Sequence, residues 1–133
     1  MAPDQGIPAV VRTGELALER NDSGLSVLTI SGEHDLSTAP TLRRRIDSML
    51  DEGTATVIDL SPATFIDSSI LGVILEGRRR SADAGIGFAV VHANGTEAVD
   101  RVLEVTGLRT ELPVYARREE ACMEASGSGE PAT

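Results

Sequence analysis

Asp67, Ser68 and Ser69 are the residues of this chain whose types and spacing could do chemistry. They stand between a strand-like run, Val57-Ile58-Asp59-Leu60, and a helix-like run that begins at Ile70. Aspartate and serine recur where helices start because their oxygens accept the unpaired N–H groups of the first turn. That end of a helix carries partial positive charge and can hold a phosphate. The stretch is therefore either a helix cap, filled by Asp67 or by Ser68, or a hydroxyl placed for phosphorylation.

Other chemistries find little support. Asp35, Asp59 and Asp67 suggest a carboxylate centre, but Asp59 falls in a run expected to be a buried strand and no metal spacing accompanies it. Ser68 lies outside any G-x-S-x-G elbow, and neither His34 nor His92 has a place in a triad. Cys122 is the only cysteine, which rules out an internal disulfide and a thiolate metal cluster. The chain has no G-x-x-x-x-G-K-[ST] and no G-x-G-x-x-G; Gly85-Ile86-Gly87 precedes a strand and reads as a turn. The expectation is a protein that is no enzyme and holds no metal and no cofactor.

The elements that must position these residues follow from the pattern. Glu15 to Arg20 alternates, Asn21-Asp22-Ser23-Gly24 is a turn signal, and Leu25 to Ile30 is β-branched and aliphatic; together they read as an antiparallel hairpin. Ser37 or Thr38 then caps a helix with Pro40 in its first turn. Ala39, Leu42, Ile46, Met49 and Leu50 keep helical spacing up to Gly53, a C-terminal stop. Ala55 to Leu60 is nearly all apolar, as in a strand covered on both faces. A helix from about Ser68 to Ala84 and a strand from Gly87 to His92 follow. Asn94 and Glu97 resemble a capping box for a helix bearing Val99, Val102 and Leu103, ended by Gly107. Glu111 to Tyr115 reads as a short edge strand limited by Pro113, and Arg117 to Ala125 as a last helix.

Strands alternating with helices imply right-handed crossovers and a largely parallel sheet after the hairpin. The expected class is α/β, with a mixed four- to five-stranded sheet, about four helices, an N-terminal antiparallel hairpin and then βα repeats. Residues 1–14 and 126–133 read as flexible tails around one domain, 15–125.

On a wheel at 100° per residue, Ile70, Leu71, Val73, Ile74, Leu75, Gly77 and Ala82 span roughly 200°, more than the stripe of about 100° that packing on one sheet requires. Leu71, Leu75 and Ala82 form one half of that arc. Ile70, Val73 and Gly77 form the other, beside the serines. Either a neighbouring helix covers this second half, or Ile70 and Val73 are left partly exposed for a protein partner.

The chain has 133 residues and a net charge of −9, which opposes binding to a phosphate backbone. The Arg triplets at 43–45 and 78–80 read as solvated helix faces. With only Phe65, Phe88 and Tyr115 as aromatics, the core must be aliphatic and single-stranded nucleic acid lacks stacking platforms. No run of 18 apolar residues is present, and the start, which lacks a charged segment followed by an apolar one, is not expected to be a signal peptide. The expectation is a soluble cytoplasmic protein without membrane insertion or direct nucleic-acid contact.

Three stretches taken together resemble the STAS domain and, within it, the bacterial anti-sigma-factor antagonists. They are Gly32-Glu33-His34-Asp35-Leu36-Ser37-Thr38-Ala39; Val57 to Ser61 followed by Phe65-Ile66-Asp67-Ser68-Ser69; and Leu71-Gly72-Val73-Ile74-Leu75. The resemblance covers about residues 15–122. It implies binding to an anti-sigma factor that is a serine kinase, release of the sigma factor, and reversal through a serine phosphatase. It implies phosphorylation at Ser68, the first serine after the aspartate, which switches the antagonist off. It places Asp35 in an acidic loop near the acceptor, and the partner-binding surface at Asp35, Asp67, Ser68, Ser69, Ile70 and Val73. The family usually has glycine after the two serines; Ile70 adds bulk there. That departure favours the alternative, a STAS interaction module of a transporter or stress-sensing complex with Ser68 unmodified. His34 sits where the family commonly has an aliphatic residue and reads as a tolerated loop position.

Overall fold

Val27-Leu28-Thr29-Ile30 alternates apolar side chains to both sides of one strand, so the sheet built on it needs cover on two faces. The computed structural model describes residues 14–21, 24–93, 97–107 and 110–127. Among these the order is β1 (Glu15–Arg20), β2 (Ser26–His34), α1 (Ala39–Asp51), β3 (Thr56–Asp59), β4 (Ala63–Ile66), α2 (Ser68–Ala84), β5 (Phe88–Val91), α3 (Glu97–Thr106), β6 (Val114–Tyr115) and α4 (Arg118–Ser126). The strands form a mixed sheet in the order β1-β2-β3-β5-β6, with β4 on β2. Only β1·β2 is antiparallel; the other pairs are parallel.

Alternation along the strands divides the core. Leu28, Ile30, Ile58, Leu60, Phe88 and Val90 face α1, α2 and α3, meeting Leu42, Ile46, Leu71, Ile74, Val99 and Leu103. Val27, Val57, Ala89 and Val91 face α4, where Ala121 and Ala125 let the helix lie close. All four residues of β3 and of β5 are buried, as expected of strands covered on both sides. The five α1 positions read as its apolar stripe, Ala39, Leu42, Ile46, Met49 and Leu50, are its buried residues.

The sheet has six strands rather than four or five. The extra one, β4, is a four-residue run whose middle residues, Thr64 and Phe65, are exposed, so it has neither a continuous apolar run nor an alternating one. It exists because β2 runs on past Ile30. β2 pairs with β3 through Ser26–Thr29 and with β4 from Gly32 onward, and within that second pairing the register shifts between Gly32 and Glu33, so that Thr64 of β4 is passed over. Gly32 takes a φ of 81°, a backbone state that glycine enters without strain, at the point where β2 first pairs with β4.

The second half of the α2 arc is covered. α1 lies along it, with Arg43, Ile46 and Asp47 opposite Val73, Glu76, Gly77 and Arg80. Ion pairs Arg43–Glu76 and Arg80–Asp47 lace the seam. Gly77 lets the helices lie close here, since a Cβ at that position would stand 2.9 Å from Ile46 Cγ2 and force a shift. Ala82 is exposed instead of joining the packed face. The capping box at Asn94 and most of both expected tails lie outside the described residues.

Candidate functional site

Asp67 follows β4 directly and is the N-cap of α2. Its Oδ1 accepts from Ser69 N at 3.0 Å and Ile70 N at 3.3 Å, which settles the cap on Asp67 and makes Ser68 the first helical residue. The same oxygen accepts the Ser69 hydroxyl. The two serines are therefore unequal. Ser69 is half-buried with its hydroxyl committed to Asp67, whereas Ser68 is exposed and its hydroxyl has no hydrogen-bond partner among the described residues.

The end of β2 repeats this turn. Asp35 Oδ1 accepts Ser37 N at 2.9 Å and Ser37 Oγ at 2.6 Å. These bonds, the hydroxyl first and the amide next, hold the exposed Asp35 carboxyl below its ordinary value, and attraction to His34 adds to them. Ser37 and Thr38 do not cap α1 through their side chains as expected. Thr38 occupies the N-cap position without a side-chain cap bond; its hydroxyl goes to the Asp35 carbonyl and that of Ser37 to the Asp35 carboxylate. Local Asp-x-Ser bonding has taken the oxygens the helix end would have used.

Each turn thrusts its middle residue outward, Ser68 in one and Leu36, 70% exposed, in the other. Because His34 pairs with Ile66 on adjacent parallel strands, about 4.8 Å apart, Asp35 and Asp67 begin neighbouring loops. Sequence reasoning thus brings together Asp35, Asp67, Ser68 and Ser69, and the structure adds Leu36 and Phe65. Phe65 is 42% exposed and pairs with Glu33 in the sheet. Leu36 had a signal, an apolar residue in a polar loop; Phe65 had none without the strand that displays it.

Ile70 and Val73 are not at this surface. Ile70 is fully buried and Val73 nearly so, both in the core shared with α1. Their expected exposure is corrected by the α1–α2 contact. Ile70 thus turns its bulk inward, and the open position on the helix's outer side is Gly72, where a Cβ would meet nothing within 4 Å.

Asp59 belongs elsewhere. It is buried, its Oδ1 accepts Ser61 N at 2.9 Å, and its Oδ2 accepts from Arg118 at 2.8 Å. Arg118 also reaches Glu19 and Thr29, so the cluster pins α4 to the sheet. The hydrogen bond to Asp59 raises the Arg118 guanidinium further, against the opposing effect of burial. Burial raises the Cys122 thiol, which keeps it in the poorly nucleophilic form. No three His, Cys, Asp or Glu side chains among the described residues gather as a metal site. No helix there is long and apolar enough to cross a membrane.

A mixed sheet with a leading hairpin and a capped serine at a βα junction defines the class, and the family model for the STAS domain matches residues 16–121: the chain belongs to the STAS domain family. Its relatives narrow the picture. It is 26% identical over 102 residues to the anti-sigma-B factor antagonist of Bacillus subtilis (strain 168), covering 77% of this chain and 91% of that protein. The crystal structure of an anti-sigma factor antagonist from Mycobacterium paratuberculosis is similar with a TM-score of 0.76 at 29% identity, covering 86% of this chain and 96% of that one. The unphosphorylated form of the anti-sigma factor antagonist SpoIIAA gives a TM-score of 0.67 at 25% identity, covering 85% and 97%.

Proposed function

We propose that this protein is a cytoplasmic anti-sigma-factor antagonist that docks on a serine-kinase anti-sigma factor, frees the sigma factor, and is switched off by phosphorylation at Ser68. The observation that carries the reading is the inequality of the two serines: only Ser68 offers an exposed and uncommitted hydroxyl. The relatives' names support the antagonist role, and the inward orientation of Ile70 removes the reason to read its bulk as a bar to docking.

In this reading the docking face is Asp35, Leu36, Phe65, Asp67 and Ser68, an acidic rim around two exposed apolar side chains. The kinase transfers the γ-phosphoryl group of ATP to Ser68 Oγ. The hydroxyl proton leaves to a kinase base and ADP departs. The new group brings about −1.5 to −2 charges beside Asp35 and Asp67. The Asp67 carboxylate already holds the N–H groups of Ser69 and Ile70, so the phosphate acts outward, on the partner, more than inward on the helix end. A 100-fold loss of affinity needs about 2.7 kcal/mol, which like-charge contact or an unpaired buried phosphate can supply. A serine phosphatase restores the docking state, and the antagonist itself catalyses nothing.

The test is incubation with candidate anti-sigma kinases and ATP, followed by intact-mass and peptide mass spectrometry of the wild type, Ser68→Ala and Ser69→Ala. Labelling lost only in Ser68→Ala supports the assignment. Labelling that persists there moves the acceptor to Ser69 or exposed Thr64. Binding without labelling in any form favours an unmodified interaction module.

A further inference from the structure

His34, at the end of β2, is only 2% exposed, and both of its ring nitrogens are engaged. Nε2 lies 3.0 Å from the Ser31 carbonyl oxygen and Nδ1 lies 3.1 Å from Thr38 Oγ1. A carbonyl only accepts, so Nε2 carries a hydrogen. The Thr38 hydroxyl has one proton to give and two takers, Nδ1 and the Asp35 carbonyl oxygen at 3.1 Å. With the ring neutral, that proton serves Nδ1, and the Asp35 carbonyl keeps only the Thr38 N–H at 3.0 Å. With the ring protonated on both nitrogens, Nδ1 donates to Oγ1, the hydroxyl turns to the Asp35 carbonyl, and every contact forms at once.

Glu33 and Asp35 flank the ring in sequence, Glu15 opens β1, and Asp67 follows the residue paired with His34. α1 contributes Thr38 at its cap and no charge before Arg43. α3, which packs on β4, carries Glu97, Asp100 and Glu104 against the single cation Arg101. The ring is also sealed: Gly14 passes so close that a Cβ there would stand 2.2 Å from Nε2.

We propose that His34 is a proton-operated positioning residue for the docking turn: a proton taken up at Nδ1 swings the Thr38 hydroxyl onto the Asp35 carbonyl and tightens the turn that presents Leu36 beside Ser68. Its consequence for a partner rests on the docking face proposed above; the coupling between ring and turn does not. Binding to the kinase therefore strengthens as His34 becomes protonated.

The experiment follows the ring nitrogens of His34 and the amides of Asp35 to Thr38 by NMR in the isotope-labelled full chain, between about pH 5 and pH 8, where an imidazole changes charge. The ring signals and the Ser37 and Thr38 amides are expected to move along one curve. In Thr38→Val the ring still titrates but the amide response falls at least severalfold, and in His34→Leu it vanishes. A ring that stays neutral throughout, turn amides that stay still while the ring titrates, or the wild-type amide curve in Thr38→Val each overturns the proposal. If ring and turn move together but no anti-sigma kinase binds at any pH, the docking reading fails and the proton coupling stands.

Discussion

Asp35 and Asp67 stand one residue past a paired position, His34 with Ile66, on two adjacent parallel strands, and each folds the same Asp-x-Ser turn around its own carboxylate. Leu36 and Ser68 thus lie, both exposed, in neighbouring loops at one end of the sheet. The continuation of β2 past Ile30 makes this possible, because it is Gly32, Glu33 and His34 that pair with β4.

Asp67 and Ser68 should separate stability from function. Asp67→Ala removes the cap of α2 and should cost about 1 kcal/mol, within the usual 0.5–2. Ser68→Ala removes an exposed hydroxyl that has no partner among the described residues and should stay within about 0.5 kcal/mol of wild type. Urea unfolding of both variants checks this; a large loss in Ser68→Ala would mean its hydroxyl has an internal role.

Ile70→Gly restores the residue the family usually has at this position, yet here it should destabilise. Truncating a buried isoleucine to alanine costs about 2–5 kcal/mol, and glycine in a helix costs about 1 more. Against a total stability of about 5–15 kcal/mol, a large fall in the thermal midpoint is expected. A small change would show that α1 collapses into the space.

Leu36→Asp tests the apolar part of the docking face. At 70% exposure it should leave unfolding within about 0.5 kcal/mol while weakening kinase binding tenfold or more, about 1.4 kcal/mol. Calorimetric titration with the kinase reads it directly, and unchanged affinity would remove Leu36 from the interface.

Arg118→Met leaves the buried Asp59 carboxylate without its cation. Removing one partner of a fully buried pair costs about 3–5 kcal/mol. The Arg118 side chain is 41% exposed, so water reaches the site and about 1–3 kcal/mol is expected. Denaturant unfolding with Asp59→Asn, alone and combined, gives the coupling; additive losses would show that the pair is not cooperative.

The Asp35 turn should open in acid. Its carboxyl lies below the ordinary 3.8 when folded, so the unfolded chain takes up the proton first as pH falls. The stabilisation is whole above about 3.8 and disappears as pH drops through the folded value. Asp35→Asn should flatten that part of the acid limb in pH-dependent unfolding, and an unchanged limb would assign it to other carboxylates.

The one-dimensional pattern determined much of this protein. Period-3.6 stripes in α1 and α2, the apolar runs of β3 and β5, the left-handed glycine end Gly53, and an Asp-Ser-Ser cap are local signals, since hydrophobic spacing and hydrogen bonding to near neighbours act within a few residues. Tertiary structure decided what depends on a distant segment. Whether Ile70 and Val73 meet water rests on where α1 lies. Whether 63–66 is a strand rests on β2 running on past Ile30 to pair with it. Which serine is free rests on the geometry of one carboxylate oxygen. Burial and register are properties of two segments at once, so no single stretch of sequence carries them.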